Sequence, residues 1–208
     1  MTHPSAISQT AATPQMPEVV TGDPHPTQEN FIGWLLGARA LPSIRANLRR
    51  GDRPALADRA YPHLARFWTN QPSTRSSILL LAAAAAEYPR IGHIGDNQHH
   101  FAIASRILVP RGERLEGSSV GARLLAVQRQ SLPNTHRMLA GIFRGLHDHG
   151  AAINWSALWG TYRSWDHPNP ATRRGVRRRL LEDFFAGAIS EDARNTTRPC
   201  PEPTIGDA

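Results

Sequence analysis

Apolar residues recur at steps of three and four along most of the chain, and nothing alternates long enough to read as a confident strand. Phe31, Trp34, Leu35 and Ala38 make one face of a helix that Thr27 can cap and that runs to about Ala40. Pro42 opens a short second helix, Ile44 and Leu48 face inward, and Gly51 ends it. Residues 54–68 read as helical with an interruption at Pro62. Ser73 to Tyr88 contains the longest apolar run, Ile78 to Ala86, which is too short to span a bilayer and reads as the buried centre of a bundle. A loop follows to Asn97, then a helix from Gln98 to Leu108, a second loop over 110–117, and a helix capped by Ser118 or Ser119 that reaches about Gln130. Pro133 opens the next helix and Gly150 closes it, with Met138, Leu139, Ile142, Phe143 and Leu146 on its apolar face. Asn154 caps a tryptophan-rich helix. Asn169-Pro170 starts the last one, where Val176, Leu180, Leu181, Phe184, Phe185 and Ala188 share a side. The prediction is an all-α fold, a compact multi-helix bundle. It forms a single domain over 27–189 with flexible N- and C-terminal tails: a disordered leader at 1–26 and a disordered tail at 190–208.

Charge complicates the last helix. It carries five arginines between Arg173 and Arg179, at the end where cations oppose the helix dipole. Arg173/Arg177 and Arg174/Arg178 are like-charge pairs at i,i+4, and stepping ~100° per residue puts Arg173 and Arg177 on the side of the apolar stripe. Arg178–Glu182 and Arg179–Asp183 can pair, whereas Arg173, Arg174 and Arg177 have no acid in register. A bound polyanion relieves such self-repulsion, since helix N-termini already attract phosphate. A second run, Arg45, Arg49, Arg50 and Arg53, ends the Pro42 helix; there the cations either meet a favourable dipole or serve an anion. On the Pro133 helix, Arg137, Arg144 and Asp148 share the polar face, and Arg144–Asp148 can pair, leaving Arg137 free.

The formal net charge is +7, but residues 27–189 hold 22 arginines against 11 acids, while the two ends hold two arginines against six. A folded part more basic than the whole chain points to a nucleic acid or another polyanion. All 24 cations are arginine, which in an Ala/Arg/Gly/Pro-rich chain reflects composition more simply than function. The single cysteine, Cys200, sits in the Pro-rich tail, which rules out a disulfide within the chain and suits a reducing cytoplasm. The N-terminus has no basic region followed by an apolar run, so no secretion signal is read.

Catalytic chemistry finds no support. His93, Asp96, His99 and His100 surround a loop and His147-Asp148-His149 ends a helix, but neither set has a zinc spacing, and they read as solvated; no metal site is predicted. Walker A, GxGxxG and GxSxG patterns are absent, and the carboxylates form no acid/base couple, so no catalytic residue and no cofactor are assigned. Trp155, Trp159 and Trp165 could stack on bases, but Trp155 and Trp159 beside Leu158 read as core.

The order of segments carries a resemblance. RANLRRGDRP, the Ala-rich helix ending AAAAAEYPRIG, the run RLLAVQRQSLPNTHRMLAGIFRGLHDHGAAINWSALWGTYRSWD and the closing RRRLLEDFF follow one another as in the CasB family, the small subunit of the type I-E CRISPR Cascade complex. The resemblance covers roughly residues 29–187 and rests on the colinear series; no single motif is diagnostic. It departs at HIGDNQHHFAIASR, where the family has a Gly/Leu-rich approach to an arginine, and at VGAR before Leu124.

The resemblance implies a helical, non-catalytic, cytoplasmic subunit that lies as two head-to-tail copies along the complex. Its implied partners are a second copy of itself, the large and backbone subunits, the guide RNA, the target DNA and the displaced strand, with no membrane. R-loop exchange is nearly balanced in base-pairing energy, so protein–backbone contacts can tip it, and arginine supplies them without reading sequence. The expected phosphate contacts are Arg45, Arg49, Arg50 and Arg53, then Arg129 and Arg137, then Arg173, Arg174, Arg177 and Arg178. A stand-alone helical DNA-binding or transcription regulator is the alternative, and it would need a recognition helix that does not stand out here. A scaffold whose arginines only meet acidic partners is the third reading.

Overall fold

In the computed structural model of the chain, residues 28–69, 71–95 and 100–196 are described, with side chains from 30 to 186. The predicted leader at 1–26, the Thr27 cap and the tail beyond Thr196 lie outside the described residues, as do Asp96 and His99. The fold is all-α. Helix α1 spans Gln28–Ala38 and α2 spans Pro42–Leu48. The stretch expected to be one interrupted helix is three short pieces: a 3₁₀ turn Pro54–Arg59, α3 at Tyr61–Leu64, and a 3₁₀ turn Ala65–Phe67. Pro54 and Pro62 each lack the N–H that a continuous helix would need there. Then come α4 (Pro72–Glu87), α5 (Phe101–Ser105), α6 (Ser119–Ala126), α7 (Leu132–Asp148), α8 (Trp155–Trp165) and α9 (Pro170–Thr196). The α9 backbone stays helical past Ile189, where composition placed the tail; between Gly187 and Pro199 no residue breaks a helix.

Local signals explain most starts. Prolines at the first turn open α2, α4 and α7. The Ser118 hydroxyl accepts from the Gly121 N–H at 3.0 Å, and the Asn154 carbonyl oxygen from the Ala157 N–H at 2.7 Å. Asn169 accepts from the Ala171 N–H at 2.8 Å. Gly150, at φ +61°, lets the Ala151 N–H reach back to the Leu146 carbonyl at 2.9 Å and close α7.

Helix α4 is the centre, with α1, α2, α7 and α8 packed on it. Leu81 through Ala86 are all buried, and the small alanines let several neighbours approach at once. Trp155, Trp159, Tyr162 and Trp165 of α8 are buried as core, and Phe31 packs on Trp159 with ring centroids 4.9 Å apart. The Ser77 hydroxyl donates to the Tyr162 carbonyl at 3.0 Å, tying α4 to α8. One feature has no periodicity to betray it: β1 (Gly92–His93) pairs in parallel with β2 (Ala152–Ile153). Gly92 suits that close pairing, because a Cβ there would lie 3.1 Å from that of Ala152 and the strands would have to shift slightly to take it.

Candidate nucleic-acid interface

The turn after α2 is where the first arginine cluster gains a position. Gly51 is buried against α4, and a Cβ on it would stand 3.1 Å from the carbonyl oxygens of Leu48 and Leu79. That close approach lays Arg49, Arg50 and Arg53 along the C-terminal end of α4. A groove of about 220 Å³ results, with Arg49 and Arg53 on one bank and Arg137 and Arg144 of α7 on the other. Ala84, Tyr88, His136 and Phe143 contribute to its lining, and Glu87 lies in it. Arg50 lines an adjoining notch of about 200 Å³ with Arg49, Arg53 and Glu87. Arg45, one turn earlier, is half-buried.

The groove is cationic, with two carboxylates in it. Arg49 donates to Glu87 through both Nε and Nη2, the latter at 3.0 Å from Oε1, and this hydrogen-bonded pairing raises the Arg49 pKa. Asp52 stands 4.0 Å from Arg53. Tyr88 is stacked on Phe143 and donates to the Ala140 carbonyl at 3.3 Å; burial, then the Glu87 charge, raises its pKa. His136 shares a 3.1 Å hydrogen bond with the Tyr162 hydroxyl, and burial pushes its pKa down to about 4. It is therefore neutral at pH 7 and adds no charge. Tyr162 is pushed upward by the same burial.

Arg144 and Glu87 are the groove residues that sequence reasoning passes over. The expected Arg144–Asp148 pair is not the one formed: Asp148 lies 3.6 Å from Arg90 and 3.3 Å from His147, and Arg144 turns to the groove. The available signal was the shared polar face of Arg137 and Arg144 on α7.

The second cluster divides. Arg177 does not face outward. Its guanidinium donates to the carbonyls of Gln128 (2.6 Å), Gln130 (3.1 Å) and Trp165 (3.3 Å) and to the Asp166 carboxylate (3.3 Å), over the Trp165 ring. Its side chain is only 16% exposed. The expectation that it presents itself to phosphate is therefore corrected: it joins α9 to α8 and to the 3₁₀ turn Val127–Arg129. Arg173 donates to the His167 carbonyl at 3.0 Å, Arg178 pairs with Glu182 at 3.1 Å as the spacing predicted, and Arg174 is exposed. The expected Arg179–Asp183 pair gives way to His100–Asp183 at 3.7 Å, and the Asp183 and Phe184 carbonyls accept from Arg106.

Arg129 is exposed between the two glutamines whose carbonyls Arg177 grips, so it sits beside the first turns of α9. From Gln130 a chain of contacts leads on: its amide oxygen accepts from Asn134 at 3.4 Å, and Asn134 accepts from Arg137 at 2.6 Å. The groove and the α9 patch are thus linked along the first turns of α7. Among the described residues, no group of three or more His, Cys, Asp or Glu could hold a metal ion, and no helix is long and apolar enough to cross a membrane.

The family model of CRISPR-associated protein Cse2 matches residues 44–185. Among solved structures, the crystal structure of CasB from Thermus thermophilus is similar at a TM-score of 0.58 and 21% identity, over 76% of this chain and 97% of that one. A chain of a CRISPR RNA-guided surveillance complex matches at 0.62 and 21%, covering 80% and 96%. A chain of such a complex in a pre-nicking state matches at 0.63 and 19%, covering 80% and 97%. No curated protein matches the chain. The likeness to these structures shows the fold, and the family match spans both arginine-bearing patches, from within α2 to Phe185; the chain belongs to the CRISPR-associated protein Cse2 family.

Proposed function

We propose that this chain is a non-catalytic, cytoplasmic subunit of a type I-E Cascade complex. In this reading it holds nucleic-acid backbone, guide RNA with target DNA or the displaced strand, so that the R-loop persists. The observation that carries the reading is the convergence of Arg49 and Arg53, from the turn after α2, with Arg137 and Arg144, from α7, on one groove. Arginines that converge across a tertiary contact, beside few carboxylates, have a geometry suited to phosphates. Arg45, Arg50, Arg129, Arg173, Arg174 and Arg178 extend the surface, and Arg177 supports it from beneath. The contacts are sequence-blind, as a subunit that must accept any guide requires. A second copy of the chain and the large and backbone subunits are the proposed protein partners.

The test is reconstitution. The chain is co-expressed with the other Cascade subunits and a guide, and R-loop lifetime is measured for wild type, for R49A/R53A/R137A and for R173A/R174A. Copurification with a shortened lifetime in both variants is expected. Failure to copurify sinks the reading, and copurification with unchanged lifetimes reduces the chain to a scaffold.

A further inference from the structure

We infer that Glu87 is a built-in counter-ion of the arginine groove, occupying the position of a phosphate and holding affinity for a nucleic-acid backbone below what the arginines alone would give. The inference rests on the reading of the groove as a phosphate-binding surface and adds how that surface is regulated.

Glu87 is the last residue of α4, where a carboxylate opposes the helix dipole, so its place has no local helical rationale. It lines both the groove and the notch, within reach of the turn that carries Arg49, Arg50 and Arg53. Its two oxygens meet Nε and Nη2 of Arg49 side by side, the same fork that a guanidinium offers to two phosphate oxygens. Asp52, the other carboxylate here, reaches Arg53 only at 4.0 Å and makes no such fork.

The pair is poorly suited to be a structural staple. Its side chains are 50% and 42% exposed, and pairs so open to solvent add little to stability. Exposure also leaves the carboxylate free to swing away when another anion arrives. Binding a backbone then exchanges one anion on Arg49 for another, which lowers both the affinity and the number of counterions released.

The test measures binding of mixed-sequence single-stranded DNA to the full chain by fluorescence anisotropy across a salt series. Glu87→Gln is compared with wild type, and Glu87→Ala keeps the test open should the first variant not fold. Circular dichroism establishes that each is folded. Binding about two- to fivefold tighter at low salt is expected, the range an exposed ion pair spans. The slope of log K against log salt should steepen by about 0.7, one further phosphate on a single strand. Folded variants that bind no tighter, while R137A and R144A weaken binding, overturn the role of Glu87 and leave the groove intact. If R49A, R53A, R137A and R144A all bind as wild type does, the groove reading falls and takes this inference with it.

Discussion

Arg177 shows how one side chain can look presented in sequence and be committed in the fold. It sits among five arginines, yet it lies on the apolar side of α9, and its two terminal nitrogens, Nη1 and Nη2, donate to three carbonyls and Asp166, while the buried Nε has no partner among the described residues. Truncation would remove the side-chain donor of the Gln128 and Trp165 carbonyls, while the Gln130 carbonyl keeps the Trp165 indole N–H at 3.0 Å. Arg177→Ala is therefore expected to destabilise the chain by about 2–4 kcal/mol. At about 2–4 °C per kcal/mol for a domain of this size, the midpoint of thermal unfolding followed by circular dichroism should drop by roughly 4–16 °C. Arg177→Lys should recover little of it, because an ammonium cannot fork to several carbonyls. Arg174→Ala, at an exposed site on the same helix, should leave the midpoint in place. His136 makes a different residue-scale prediction. Its folded pKa of about 4 lies below the ordinary value of 6.5, so below pH 6.5 the unfolded chain binds a proton that the folded chain refuses. Stability is fully present above that value, declines as pH falls, and levels off once pH passes below about 4. From pH 7 to pH 5 this one group costs about 2 kcal/mol. Urea unfolding at the two pH values should show that loss in wild type, and His136→Gln should lack that share of it.

Single elements were legible where the information is local, and the α2–α4 contact marks where that stops. Gly51→Ala puts a Cβ 3.1 Å from two carbonyl oxygens, both backbone and unable to swing aside. The turn must tighten or shift against α4 by a few tenths of an ångström, at about 1–3 kcal/mol for overpacking a well-packed contact. Arg49 and Arg53 move with it. The variant is expected to lose single-strand affinity as well as thermal stability, and unchanged affinity in a destabilised variant would mean that the turn does not position the cluster. Nothing in the run RRGDR tells a reader that its glycine faces Leu79, because that neighbour is brought by the tertiary fold. Ser118, Asn154 and Asn169, in contrast, act within three residues of themselves, and their caps were readable from type and spacing. The apolar face of α7 was readable for the same reason. Its polar face was only half readable: Asp148 takes Arg90, from the loop after α4, in place of Arg144 one turn away. The groove rests on that exchange of partners. In α9 the apolar-side placement of Arg177 was already visible, and what the sequence lacked was the set of carbonyls waiting for it.

At the scale of the whole molecule, charge and core are divided in the same way. The hydrophobic core runs from Phe31 to Phe184, and the arginines of both patches lie within those bounds. Outside the helical span, Glu18 and Asp23 precede α1, and Arg198, Glu202 and Asp207 follow α9. Removing residues 1–26 and 197–208 would thus delete four acids and one arginine and raise the net charge by three. If the domain is the helical part alone, the trimmed chain keeps its cooperative unfolding and a midpoint within about 2 °C of the full chain, since changes far from the core seldom exceed ~0.5 kcal/mol. Its affinity for single-stranded DNA should be equal or higher, and the difference should shrink with salt, because the deleted charges act on the basic surface only through a screened field. A lower midpoint or a broadened transition would show that the ends pack on the bundle. Weaker binding at an unchanged midpoint would place part of the nucleic-acid surface in the ends, and the arginine groove would then be one contributor among several.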